Sequence, residues 1–237
     1  MTRISVFRQG FLLLLASLVA SLAPAQEHGA TLTFRFDRPG LEVPSYVFTI
    51  HEDGSGSYEA PASSRTSNAA EPPSSSEAAL ASVGAPRQTR VLALAPGSTA
   101  KLFEQARGAE LSRRSCASKA KNIADTGAKV LIYDGKEGIG SCSFNYTENK
   151  NVIALTQSFQ AMANTLEFGQ RLERLHRFDR LGLDQETQRL VDAVKDGRAV
   201  EVKLIAPTLE SLSKDPQLLE RVKLRAATLL SLADATP

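Results

Sequence analysis

The chain has 237 residues, with 28 Lys and Arg against 26 Asp and Glu, for a net charge of +2. That balance lacks the basic excess of a nucleic-acid binder, so no nucleic-acid partner is expected. An apolar share of 42% supports a real core in one domain or two small ones.

Arg3 and Arg8 precede the apolar run FLLLLASLVASL, and Ala23-Pro24-Ala25 places small residues at the −3 and −1 positions of a cleavage site. This predicts a secretory signal peptide over 1–25, with the mature chain starting at Gln26. The run is shorter than the roughly 18 apolar residues a membrane span needs. No cysteine follows it as a lipid anchor, and no second long apolar run occurs. The expectation is a secreted or periplasmic protein without a membrane span after cleavage.

In TLTFRF, Leu32, Phe34 and Phe36 alternate with Thr31, Thr33 and Arg35, the period of a half-buried strand. SYVFTI repeats it with Tyr46, Phe48 and Ile50, and leads to the turn dipeptide Asp53-Gly54. Residues 60–87 are Ser, Ala and Pro without periodicity, which predicts a disordered insertion. TRVLAL reads as a further strand. Ser98, after Pro96-Gly97, reads as the N-cap of a helix whose apolar face is Leu102, Phe103 and Ala106. AKVLIYDGKEGIGSCSFNY reads as a hairpin.

A long helix follows. Val152, Leu155, Phe159, Met162 and Leu166 form one stripe, continued by Leu172, Leu175 and Phe178. Gly169 sits on the stripe, where either a neighbouring backbone approaches or the helix breaks. Three helices are expected after it: one capped by Asp184 and stopped at Gly197, one carrying Val202, Ile205, Leu209 and Leu212, and one started by Asp215-Pro216. The expected architecture is α+β: an antiparallel sheet of four to five strands packed on helices (26–59 and 88–168), then a small all-helical subdomain (169–237).

Cys116 and Cys142 are the only cysteines. On the exported, oxidising side of a membrane they favour a structural disulfide. A zinc site needs four ligands, and His28, His51 and His176 have no ligand spacing with them. No metal or cofactor is expected. A reactive thiol is the rival reading, because Arg113, Arg114, Lys119 and Lys121 flank Cys116.

Ser98-Thr99-Ala100-Lys101 has the S-x-x-K spacing of the nucleophile motif in penicillin-binding proteins and serine β-lactamases, and Ser143-Phe144-Asn145 mimics their second motif. The third, Lys-Thr/Ser-Gly, is missing, and Ser118 to Lys121 repeats the first spacing. No residue is assigned as catalytic. Arg171, Arg174, Arg177 and Arg180 recur every three residues. They read either as an anion-binding ridge or as a solvated face partnered by Glu173 and Asp179.

The segment AKVLIYDG, SCSFNY and VIALTQSFQAMANTL resembles the closing half of emfourin-type domains, small bacterial inhibitors of thermolysin-like metalloproteases. The likeness is one of element order and hydrophobic pattern over 31–166, and no functional residue carries over. It implies an α+β fold and a non-catalytic role. The expected function is therefore an exported protein-binding module with an unidentified protein partner. Protease inhibition is the alternative from the resemblance, and an acyl-transfer hydrolase using Ser98 and Lys101 is the alternative from the motif.

Overall fold

The computed structural model describes residues 29–61, 86–111, 113 and 116–234. The expected signal peptide (1–25) and the interior of the expected insertion (62–85) lie outside them. The fold is α+β. Six strands, β1 (Thr31–Asp37), β2 (Ser45–His51), β3 (Ser55–Pro61), β4 (Arg87–Ala93), β5 (Ala128–Gly135) and β6 (Gly138–Phe144), form one antiparallel sheet in the order β4-β3-β2-β1-β5-β6. Helix α1 (Pro96–Ala109) joins β4 to β5, and α2 (Lys150–Phe178) follows β6. Then come α3 (Gly182–Lys195), a 3₁₀ turn (Val202–Ile205), α4 (Ala206–Lys214) and α5 (Glu220–Asp234).

The sheet has six strands rather than four to five. The extra one is β3, SGSYEAP, whose composition is poor in strand formers. It is held by its neighbours: Phe48 pairs with Tyr58, and Tyr58 with Arg90. Gly54, at φ +85°, makes the turn into it, a conformation open to glycine at no steric cost. The expected insertion of 60–87 is framed by this pairing. Ala60 and Pro61 end β3 opposite Gln88 and Arg87, so the ends of that span belong to the sheet.

Period-two alternation gives the sheet one buried face. Leu32, Phe34, Phe48, Ile50, Tyr58 and Leu131 all point into the core. Phe159 of α2 stacks on Phe34 with centroids 4.8 Å apart and lies 5.4 Å from Phe48, which places α2 over the sheet centre. Phe103 of α1 meets Tyr133 edge-on at 6.5 Å. Val91 lies on the opposite face, almost fully exposed.

α2 is continuous through the expected boundary at 168/169 and serves both parts of the chain. Its first half packs on the sheet and its second half on the C-terminal helices, and one buried apolar cluster runs from Leu32 to Leu229. Gly169 does not break the helix. The close approach there comes from a side chain: a Cβ at this position would lie 2.5 Å from Ile205 Cγ2.

Three expected caps have other roles. α1 begins at Pro96, with Ala95 at its N-cap, so Ser98 lies within the first turn. α3 begins at Gly182, and Asp184 binds Arg221 and Arg225 instead of capping. Asp215 accepts from the Gln217 N–H at 2.8 Å, but α5 starts only at Glu220.

Candidate functional site

Cys116 and Cys142 form a disulfide with Cα atoms 6.0 Å apart, within the span such bonds need. Both residues are buried. The bridge ties the coil after α1 to edge strand β6. Asn145 anchors the same coil. Its side-chain oxygen accepts from the Thr126 N–H at 2.8 Å, and its amide donates to Ala124 O at 2.9 Å. Lys129 closes the arrangement, donating to Thr126 O, Gly127 O, Asn145 O and Thr126 Oγ1 at 2.9–3.0 Å. Burial pushes the pKa of its ammonium down. This end of the sheet is a fully bonded clamp.

Ser98 donates its hydroxyl to Glu201 Oε1, and the Ala95 N–H donates to Glu201 Oε2 at 3.1 Å. The carboxylate thus fills the N-terminus of α1, where helix N–H groups and the macrodipole favour negative charge. Glu201 adopts the left-handed conformation at φ 52° to do so. Lys101 is exposed. The geometry therefore gives Ser98 a carboxylate partner that docks the C-terminal helices onto α1.

The four arginines of the expected ridge have separate roles: Arg171, Arg174 and Arg177 lie on α2, and Arg180 lies on the turn after it. Arg171 is a clamp: its Nε meets Glu186 at 2.6 Å, its Nη1 reaches Glu42 and Glu167, and it lies 4.5 Å over the Phe168 ring. Burial raises the pKa of the Glu167 carboxyl, and the Arg171 charge opposes that. Arg174 reaches Glu42 at 3.4 Å. Glu173 and Asp179, expected as partners of the ridge, form ion pairs with none of the four among the described residues; Glu173 faces Arg90 and Thr208 instead.

Arg177 and Arg180 open onto a cleft of about 450 Å³ between α2 and α4, lined also by Glu173, His176, Thr208, Ser211 and Asp215. His176 Nε2 lies 2.8 Å from Asp215 Oδ2. This contact, the Gln217 N–H and the Arg180 charge hold the Asp215 carboxyl below the usual carboxylate range. Thr208 donates to Glu173 Oε1 at 2.8 Å, and Arg90 of β4 lies 4.0 Å from Glu173 Oε2. Arg180 donates to Gln217 Oε1.

Beside the cleft, residues 177–181 at the α2–α3 turn are all exposed. Phe178 is 77% and Leu181 88% exposed. Phe178 therefore leaves the apolar stripe expected for it. The sequence did carry a signal: Asp179 and Gly182 end the helical pattern, so Phe178 lies beyond the last packed turn. The cleft carboxylates and Thr208 carried none, because their partners lie far away in the chain.

Among the described residues no group of three His, Cys, Asp or Glu side chains converges as a metal site, and no helix is long and apolar enough to cross a membrane. Comparison with protein-family models, curated proteins and solved structures finds no match to this chain.

Proposed function

We propose that this chain is an exported, non-catalytic protein-binding module that engages its partner through the α2–α3 tip. One observation carries the reading: two large apolar side chains on one turn, Phe178 and Leu181, stand mostly in water, each directly after an exposed arginine, Arg177 and Arg180. Isolated exposed apolar residues are ordinary, but an exposed phenylalanine beside two arginines has residue types enriched in protein interfaces, and Leu181 extends its apolar area. The Cys116–Cys142 bridge and the N-terminal signal pattern support a secreted or periplasmic setting. Protease inhibition, implied by the emfourin resemblance, is a narrower form of the same reading.

A photo-crosslinking amino acid placed at position 178 tests it, with position 224 as an exposed control (Leu224 is 59% exposed). In the native extract, position 178 should give a discrete adduct with a second protein, and position 224 should not. Equal adducts at both positions, or none at 178, would refute the tip as an interface.

A further inference from the structure

We infer that the cleft behind the tip is a carboxylate-binding site, taking an acidic side chain from a protein segment whose neighbouring apolar side chain packs on Phe178 and Leu181. The inference rests on the binding reading above and names the chemistry of the partner.

Hydrogen-bond capacity inside the cleft carries the argument. Three of the four oxygens of its two carboxylates take a hydrogen bond, and the fourth, Glu173 Oε2, faces a guanidinium at 4.0 Å. Glu173 Oε1 accepts from Thr208, and Oε2 faces Arg90. Asp215 Oδ2 takes His176 and faces Arg180 at 4.0 Å, while Oδ1 accepts from the Gln217 N–H. The uncommitted groups are donors. Arg177 has no carboxylate partner among the described residues; its guanidinium lies 5.8 Å over the Phe178 ring. Arg180 keeps further N–H groups beyond those facing Gln217 and Asp215. The exposed Ser211 hydroxyl has no bonded partner among the described residues. Two guanidinium groups and a hydroxyl facing open space ask for an anionic acceptor, and arginine's planar fork matches a carboxylate.

The cleft walls narrow the choice. A phosphate dianion would bring its second charge against Glu173 and Asp215, whereas a carboxylate brings one. An anionic bilayer would meet Asp179, which has no ion-pair partner among the described residues, together with the two cleft carboxylates. A protein segment can place one acid between the arginines and keep clear of those groups. Phe178 and Leu181 beside the cleft supply the apolar subsite.

The test is an NMR titration of the isotope-labelled chain with acetyl-Glu-Leu-Phe-amide, with acetyl-Gln-Leu-Phe-amide as the isosteric neutral control. The Glu peptide should shift the Arg177 side-chain N–H and the Ser211 and Phe178 amides saturably. The Gln peptide should bind about tenfold more weakly or worse, the scale of one charge-assisted hydrogen bond. Arg177→Gln should bring the Glu peptide down to the Gln level while leaving the melting curve unchanged. Equal affinity for the two peptides, or indifference to Arg177→Gln, overturns the site. So does tighter binding of inorganic phosphate than of the Glu peptide, Phe178-dependent sedimentation with phosphatidylglycerol vesicles, or a concentration-dependent dimer abolished by Phe178→Ser. Crosslinks from position 178 that survive Arg177→Gln unchanged would keep the tip as an interface and remove the carboxylate site.

Discussion

Gly169→Ala offers a test in which the sign of the effect depends on one other residue. Gly169 is buried in the middle of α2, and its backbone is helical, so alanine fits the main chain. Intrinsic propensity alone predicts a gain of about 1 kcal/mol, because glycine loses more backbone entropy in a helix. Packing opposes it. The new methyl would lie 2.5 Å from Ile205 Cγ2 and 3.2 Å from its Cβ, and Ile205 is itself buried at the 3₁₀ turn. Overpacking of this kind costs about 1–3 kcal/mol. The expected net loss is about 1 kcal/mol, or about 3 °C in melting temperature for a chain of this size. Ile205→Ala removes Cγ2 and should cost about 2–5 kcal/mol by itself. In that background only the Cβ of residue 205, 3.2 Å away, stays tight, so Gly169→Ala should no longer destabilise and should gain up to about 1 kcal/mol. Urea denaturation of the four proteins gives the cycle directly. A stabilising Gly169→Ala in the parent, or the same cost in both backgrounds, would show that Ile205 does not need the space glycine leaves.

Three further expectations concern other joints of the fold. Replacing Cys116 and Cys142 with Ser should cost about 3.5 kcal/mol on the chain-entropy model for a separation of 26 residues; thiol labelling of the denatured, unreduced parent should find neither cysteine, and stoichiometric labelling would refute the bridge. Lys129→Met should cost about 2–3 kcal/mol by leaving the carbonyls of Thr126 and Gly127 without this donor, while Asn145 O keeps only Thr126 Oγ1, and should speed amide exchange over 116–127; unchanged exchange there would mean the disulfide alone holds the coil. The Asp215 carboxyl is held below its ordinary value in the folded state, so its contribution is present above the ordinary aspartate range and lost as pH falls through the lowered value. Asp215→Asn should therefore lose less stability than the parent as pH falls from about pH 5 to about pH 2, and parallel denaturation curves would contradict the His176–Asp215 contact.

Much of this arrangement could be read locally. The alternation Leu32, Phe34, Phe36 and its repeat at Tyr46, Phe48, Ile50 identified two strands and their buried face, because a pleated backbone turns successive side chains to opposite sides. The stripe from Val152 to Leu172 identified α2 for the corresponding reason in a helix. The two cysteines suggested each other, and Gly169 marked a close approach before Ile205 could be named. β3 was hidden because SGSYEAP has little strand character of its own; β2 and β4 hold it by backbone pairing. Phe178 looked buried because it continues the apolar spacing, yet the packed layer ends a turn earlier.

A few consecutive residues were enough to mark five of the six strands, the long helix α2 and the apolar faces of both. Long-range packing set the sheet order, with β5 beside β1, and gave separate fates to four arginines at identical spacing, three on α2 and Arg180 on the turn after it. Arg171 became a clamp because Glu42, 129 residues away, and Glu186 of α3 meet it, whereas Arg177 was left facing a cleft. The physical reason is one of range. Periodicity is imposed by backbone geometry within a turn or a pleat, whereas a charge acquires its role from whatever distant side chain the packed core brings within a few ångströms.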